Sequence, residues 1–240
     1  MQIKLIMRPE KPLVIPFNYN YQLQSALFAM LGEVGESDFW HDNGFGDAAK
    51  FKGFCFGKLN GRYHADTAAK MISFDDEITL EIRSPSFAFI DSFQRALEQH
   101  PFLKLFDTRL DVTGAALLNK HLPGGSVILT AVTPVVIHRT LPDRHTVFFT
   151  PEDDEFYEGI CNNASRKYES ITGQKAPEIL LRPLGEFQKT VTRYKGCYIT
   201  GHTGSFKIRT ELPFAEFLYN AGLGEKNAQG FGFVEEYTRR

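Results

Sequence analysis

The segment Gly222–Val234, near the C-terminal end of the sequence, carries residue types suited to binding a phosphate group. It contains four glycines and a lysine: Gly222, Gly224, Lys226, Gly230 and Gly232. Glycines permit positive φ and close backbone approach, successive N–H groups can form a concave anion site, and a lysine adds a charge. The alternative is a structural loop in which a helix ends at Gly222 and a tight turn leads into a strand. The residues alone leave both interpretations open.

Two nucleotide-binding motifs are excluded for this segment. A dinucleotide fingerprint follows a strand and opens a helix, whereas the order predicted here is helix, loop, strand. No Gly-Lys-Ser or Gly-Lys-Thr closes the loop, so it is not a P-loop either. A mononucleotide-binding enzyme is therefore the weakest of the functional hypotheses.

His41 is the strongest candidate for proton transfer among the seven histidines. It lies in an irregular, glycine-containing segment, where catalytic residues concentrate, and Lys50 and Lys52 follow shortly. An imidazole near its reference pKa moves protons at neutral pH, and a lysine can hold a phosphate. The alternative is a surface histidine beside Trp40 and an ordinary strand lysine at position 52. No two histidines have metal-ligand spacing, so we expect neither a metal nor a cofactor.

A second cationic segment runs from Phe187 to Thr210 and contains no acidic residue. Its basic residues are Lys189, Arg193, Lys195, Lys207 and Arg209, and Tyr194 and Tyr198 are interleaved with them. Such a hairpin suits RNA phosphates with aromatic contacts to bases. The alternative is a solvated hairpin whose lysines protect a sheet edge. The absence of carboxylates favours RNA.

Composition indicates a globular cytoplasmic protein. The 240 residues are 42% hydrophobic and 23% charged, with a net charge of −2. A non-specific nucleic-acid binder is usually basic overall, so any RNA-binding surface must be local. Three widely spaced cysteines form no Cys-x-x-Cys pair, which argues against a disulfide framework or a zinc site. The sequence has neither a secretory signal nor an apolar run long enough for a membrane span.

Periodicity predicts that both halves of the chain have the same order of elements. In the first half, alternating residues near 2–8, 51–59, 77–83 and 109–118 predict strands, and helices are predicted over 21–31 and 84–99. Asn60-Gly61 is a hairpin-turn signal. In the second half, a strand is predicted over 127–137, followed by a helix, hairpin strands, a helix and a last strand. Turns are predicted near Gly185, Lys195-Gly196 and Thr203-Gly204. This order, β-α-β-β-α-β, predicts two tandem ferredoxin-like α+β domains, residues 1–120 and 121–240.

The loop Gly222–Gly232, which follows Phe-Leu-Tyr-Asn-Ala, resembles the C-terminal signature of the CRISPR-associated endoribonucleases that cut precursor CRISPR RNA, the Cas6 family of the RAMP superfamily. Other segments agree: Pro134-Val-Val-Ile, Asn162-Asn-Ala-Ser-Arg-Lys-Tyr, Tyr194-Lys-Gly and Gly201-x-x-Gly-Ser-Phe. The resemblance spans nearly the whole chain and is strongest in the last fifty residues. Tandem ferredoxin-like domains are also what it implies.

The resemblance implies a metal-independent endoribonuclease. Cleavage within each repeat would leave a 2′,3′-cyclic phosphate and a 5′-hydroxyl. His41 would act as general acid or base and Lys52 would stabilise the phosphate, because the family's catalytic histidine lies after the first helix and before an aromatic strand opened by Phe-Lys. Some members place a tyrosine in the first helix. Residues 25–30 contain none, so the second proton carrier stays unassigned.

The resemblance also implies the partners. The glycine loop and the basic hairpin would hold precursor CRISPR RNA, and proteins of a CRISPR effector complex and a second copy of the chain are further candidates. The competing function is a non-catalytic subunit that holds guide RNA in such a complex. Binding without cleavage would separate this function from the nuclease.

Overall fold

A computed structural model describes residues 1–36, 40, 44–46 and 50–237. The first half comprises β1 (Gln2–Pro9), β2 (Leu13–Pro16), α1 (Asn20–Gly32), β3 (Cys55–Phe56), β4 (Asn60–Asp66), β5 (Met71–Arg83), α2 (Phe87–Gln99), β6 (Phe102–Leu105) and β7 (Thr108–Leu118). The second half comprises β8 (Ser126–Ala131), β9 (His138–Thr140), β10 (Thr146–Phe148), α3 (Asp154–Thr172), β11 (Leu180–Tyr194), β12 (Cys197–Arg209), α4 (Leu212–Ala221), a 3-10 turn (Asn227–Gln229) and β13 (Val234–Glu236).

The first sheet has β1 at its centre. Strand β1 pairs antiparallel with β5 on one side and β7 on the other, with Leu5 opposite Leu80 and Ala115. Its alternation buries Ile3, Leu5 and Met7 on one face, as the period of two requires. Strands β2, β3 and β4 pair with β5, and β6 pairs with β7. The order β7-β1-β5, with α1 and α2 as crossovers, is the split β-α-β arrangement.

The second sheet repeats this arrangement in the order β13-β8-β12-β11. Strand β8 takes the central place of β1, and α3 and α4 are the crossovers. The predicted class, two tandem ferredoxin-like domains, is confirmed. Buried apolar residues form one large cluster within residues 3–110 and another within 122–234. Ala228, from the loop after α4, belongs to the first cluster. The boundary at residue 120 stays a prediction.

Three predicted turns are wrong. Gly185 lies inside β11, at an irregularity where the register with β12 shifts between Leu184 and Gln188. Asn60-Gly61 opens β4, and the chain reverses later, at residues 67–70, where Lys70 has φ of 55°. Thr203-Gly204 lies inside β12, because that strand continues unbroken from Cys197 to Arg209 against β11. The predicted strand 127–137 ends at Ala131, and Val135 then forms a separate bridge with His202. Pro134, which has no N–H to donate, lies in that gap.

Helix packing supplies much of each core. Helix α2 begins after Ser86, whose hydroxyl accepts a hydrogen bond from the Phe89 N–H at 3.4 Å. Its buried residues Phe89, Phe93 and Leu97 recur at a spacing of four, which is the stripe expected of a helix covering a sheet. Within the part of the chain that the structure describes, no helix has the length and apolar character to cross a membrane.

Candidate functional site

A cavity of about 350 Å³ lies between the two halves of the molecule. Five parts of the chain line it: α1, residues 50–54, β9, α3, and the end of α4 with the loop that follows. Strand β9 contributes His138. The structure therefore brings Lys52 and Lys226, two residues predicted from distant parts of the sequence, to one cavity.

The cavity is cationic although the protein carries net negative charge. Basic side chains that line it are Lys50, Lys52, Arg166, Lys167 and Lys226. Among the described lining residues, Glu225 supplies the one carboxylate. In a partly enclosed site such charges are less screened than at an open surface, so they attract an anionic ligand.

The glycine loop packs against the protein itself. Its four glycines all have positive φ: Gly222, Gly224, Gly230 and Gly232. A Cβ at residue 232 would lie 1.9 Å from the Leu223 carbonyl oxygen, and one at residue 230 would lie 2.6 Å from Asn20 Nδ2. These close approaches account for the glycines without a ligand, so the glycine count does not by itself indicate phosphate binding. Their contact with RNA stays a prediction.

Several N–H groups of this loop are already used inside the protein. The Leu223 N–H donates to Gly232 O, the Glu225 N–H to Val136 O and the Gly232 N–H to Pro134 O, each at 2.9 Å. Donors engaged in this way are unavailable for an anion nest. The loop therefore acts as a rigid wall that presents side chains, Lys226 among them.

We expect Gly232→Ala to lower the free energy of unfolding by about 3 kcal/mol, since a methyl group there combines unfavourable φ with overlap of backbone atoms. Gly173→Ala is the matched control, because Gly173 ends α3 at φ 71° with nothing within 4 Å of the added atom. Only the φ penalty of about 1 kcal/mol applies to the control. Urea denaturation measures both. Equal losses would show that steric contact at residue 232 is unimportant.

Lys167 donates hydrogen bonds to the glycine loop. Its ammonium is buried and donates to Gly222 O at 2.6 Å, Gly224 O at 3.1 Å and Asn227 Oδ1 at 2.9 Å. Burial lowers the pKa of Lys167 to about 7. The three acceptors match the three hydrogens of an ammonium group. Lys167 therefore stabilises the loop conformation.

The first half of the molecule also hydrogen-bonds the glycine loop. Asn20 Nδ2 in α1 donates to Gln229 O at 3.1 Å and Gly230 O at 3.3 Å. Burial lowers the pKa of Lys226, which lines the cavity and itself has φ of 60°. The loop thus fixes the position of Lys226 relative to α1 and residues 50–54.

The predicted catalytic residue His41 lies outside the described residues. Trp40, its sequence neighbour, is buried, and its ring packs against Phe89 with centroids 5.2 Å apart. On the other side, Phe45 forms a backbone bridge with Phe51, a lining residue next to Lys52. The described residues flanking position 41 are therefore anchored near the cavity. The roles of His41 and Lys52 stay predictions.

The five predicted hairpin cations are all exposed but do not form one patch. Lys189 and Arg193 pair with His202 and Tyr198 of β12, which are even-numbered positions. Successive side chains of a strand point to opposite faces of the sheet. Lys207 and Arg209 are at odd-numbered positions of β12, so they point to the face opposite Lys189 and Arg193. The distance from Cys197 to Arg209 is about 40 Å at ~3.3 Å per residue. RNA contact by these five residues stays a prediction.

The hairpin tip reaches α1. Lys195 Nζ lies 4.7 Å from the centre of the Tyr21 ring, and the Tyr194 hydroxyl hydrogen-bonds Gln24, which lines the cavity. Tyr194 is buried, so its ring is unavailable for stacking on a base, whereas Tyr198 is 68% exposed. The aromatic part of the hairpin prediction is therefore wrong for Tyr194.

Sequence reasoning gave no individual role to several cavity residues, notably Asn163, Arg166 and Lys167 of α3. Their spacing of three and four places them on one helix face. This spacing was the signal in the sequence that could have identified them as a group. Asn163 is buried, and its Oδ1 has no hydrogen-bond partner among the described residues. His138 and Glu225, which both line the cavity and are hydrogen-bonded to each other, were also given no role from the sequence.

Comparisons with known proteins agree with this architecture. The family model for the C-terminal part of CRISPR-associated protein Cas6 matches residues 118–236. The CRISPR-associated endoribonuclease Cas6 1 of Methanocaldococcus jannaschii is 26% identical over 238 residues, covering 98% of this chain and 92% of the relative. A solved structure of a CRISPR-associated protein Cas6 matches with TM-score 0.81 at 27% identity, covering 99% of both chains. A RAMP protein binding different RNA substrates matches with TM-score 0.84 at 19% identity, covering 99% of this chain and 100% of that one. At 19% identity, the similarity to the RAMP protein is evidence about the fold alone.

Proposed function

Because the chain belongs to the Cas6 family, we propose that it is an endoribonuclease that processes CRISPR RNA. It cuts precursor CRISPR RNA within the repeats and yields mature guide RNAs. The observation that carries this proposal is the cationic cavity between the two halves, where Lys52, Arg166 and Lys226 meet in a protein of net charge −2. A polyanion is the ligand that such a site favours.

The chemistry requires no metal. The 2′-hydroxyl of the RNA loses its proton and attacks the adjacent phosphorus, and the bond from phosphorus to the 5′-oxygen breaks. That oxygen gains a proton, so the products carry a 2′,3′-cyclic phosphate and a 5′-hydroxyl. His41 transfers one of these protons, and Lys52 stabilises charge on the phosphate. Positioning of the 2′-oxygen in line with the leaving oxygen supplies further acceleration.

RNA outside the scissile phosphate binds to the glycine-loop wall and the basic hairpin. The tip residues Arg193 and Lys195 contact phosphates of this RNA, and Tyr198 offers an exposed ring to an unpaired base. We further propose that the enzyme works in the cytoplasm. Its product passes to proteins of a CRISPR effector complex, and a homodimer is a second candidate assembly.

The test is cleavage of a repeat RNA from the organism's own CRISPR array in EDTA. Wild type is expected to release fragments with cyclic-phosphate and 5′-hydroxyl ends, and a 2′-deoxy substitution at the cut site should abolish cutting. We expect His41→Ala to lower the single-turnover rate about a hundredfold or more with little change in RNA affinity.

His64→Ala is the control, because His64 is an exposed histidine on β4. Undiminished cutting by His41→Ala would remove His41 from the mechanism. Tight binding by wild type without any cleavage would instead identify a guide-RNA-binding subunit. A requirement for a divalent cation would contradict the metal-independent route.

A further inference from the structure

His138 and Glu225 form a histidine–carboxylate pair between β9 and the glycine loop. His138 Nδ1 hydrogen-bonds Glu225 Oε2, and the His138 backbone N–H donates to the same oxygen at 3.2 Å. The imidazole also stacks on Phe148, with centroids 5.8 Å apart. The hydrogen bond at its edge and the Phe148 ring on its face together fix the orientation of this imidazole.

The carboxylate determines which nitrogen carries the proton. An ionised carboxylate only accepts hydrogen bonds, so Nδ1 must be the N–H of a neutral His138 ring. Nε2 then has its lone pair available, and among the described residues nothing hydrogen-bonds it. A histidine held through Nδ1 by a carboxylate, with Nε2 open, is the arrangement of a general base or, once protonated, a general acid.

The pair belongs to the cationic cavity. His138 lines it together with Lys52, Arg166 and Lys226, and the His138 side chain is 24% exposed. The Glu225 N–H donates to Val136 O at 2.9 Å, which fixes the loop against the segment before β9. The imidazole is thus held at the edge of a site whose other groups suit a phosphate.

We propose that His138 is the second proton carrier of the reaction proposed above, on which this inference rests. The reaction moves two protons, one from the 2′-oxygen and one to the 5′-oxygen, and His41 accounts for only one of them. His138 Nε2 transfers the other. Glu225 is a positioning residue that keeps Nδ1 protonated and the ring oriented toward the cavity.

Charged groups lie on both sides of His138. On the cavity side these are Lys50, Lys52, Arg166, Lys167 and Lys226. On the other side, Glu155 and Glu158 of α3 and the neighbouring Arg139 line an adjoining groove that His138 also borders. Because Glu225 contacts the ring directly, it is the partner whose removal has the largest effect on the orientation of the ring.

The experiment measures single-turnover cleavage of the repeat RNA at saturating enzyme, from pH 5 to pH 9, together with RNA affinity and thermal stability. We expect His138→Gln to lower the rate about a hundredfold and to remove one limb of the pH–rate profile. Glu225→Gln should lower the rate about tenfold, because its amide oxygen still accepts from Nδ1–H. RNA affinity should change little in either variant.

His145→Gln is the matched control, since His145 is an exposed histidine in the turn between β9 and β10. A wild-type rate for His138→Gln overturns the inference. So does a lowered rate with both limbs intact and weakened affinity or stability, because that pattern describes a structural tie between loop and strand. Failure of wild type to cut repeat RNA is a distinct result that defeats the proposed function itself.

Discussion

Arg83→Met is expected to lower the free energy of unfolding by about 3 kcal/mol, because a buried backbone carbonyl and two partly exposed carboxylates lose their hydrogen-bond donor. Arg83 ends β5 in the first half and is fully buried. Its guanidinium bonds Glu81 at 2.6 Å, Glu235 at 2.5 Å and the Val234 carbonyl at 2.5 Å. It also lies between two aromatic rings, 3.8 Å from Tyr219 and 4.0 Å from Phe233.

These contacts join the two halves, because Glu235, Val234 and the two rings all belong to the second. Methionine fills similar volume but donates no hydrogen bond, so two carboxylates and a carbonyl lose their partner. Chemical denaturation measures the loss. The control is Arg62→Met, whose side chain is 86% exposed and lies 3.5 Å from Asp76; such a pair contributes about 1 kcal/mol or less. A similarly small loss at Arg83 would contradict its role as the link between halves.

Lys167→Met is expected to cost about 3 kcal/mol of stability at pH 9, because buried acceptors of the glycine loop lose the Lys167 amine as their hydrogen-bond donor. RNA cleavage should fall with it, since the loop positions Lys226 and Glu225. Lys175→Met, at an exposed lysine just beyond the same helix, is the control and should change stability by less than about 0.5 kcal/mol.

The loss at Lys167 should depend on pH. Burial lowers the pKa of Lys167 from its ordinary value of 10.5 to about 7. Between these values the unfolded chain binds a proton that the folded chain has released, so this group's contribution to stability rises with pH. That contribution is lost as pH falls through about 7. The difference between wild type and Lys167→Met should therefore be smaller at pH 6 than at pH 9. A difference independent of pH would contradict the low pKa.

The glycine loop shows where sequence reasoning succeeded and where it stopped. Its place between the last helix and the last strand was predictable, since Pro213 and Gly222 mark the helix ends and apolar residues follow. The reason for its glycines was not. Gly230 and Gly232 are required by contacts with Asn20 and Leu223, and Asn20 lies about two hundred positions away. A local pattern cannot distinguish close approach to a ligand from close approach to a distant part of the same chain.

The basic hairpin shows a related limit of sequence reasoning. Counting charges over Phe187–Thr210 treated the segment as one surface. The unbroken strand β12 and its register with β11 divide those charges between two faces and two ends. Thr203-Gly204 was predicted as a turn, yet both residues lie in the middle of a long strand, where Thr203 pairs with Gln188. Tertiary context overrides such local preferences.

By itself, the sequence determined the order of elements, the tandem ferredoxin-like class and the family resemblance, because hydrophobic periodicity and local motifs are encoded within short stretches. Only the tertiary structure decided which cations share a cavity, that Lys167 and Arg83 are buried, and that His138 meets Glu225. Each of those facts depends on side chains far apart in sequence whose distance is set by tertiary packing, within one half or between the two. Burial and pairing of charge are properties of the assembled fold, so they become visible only there.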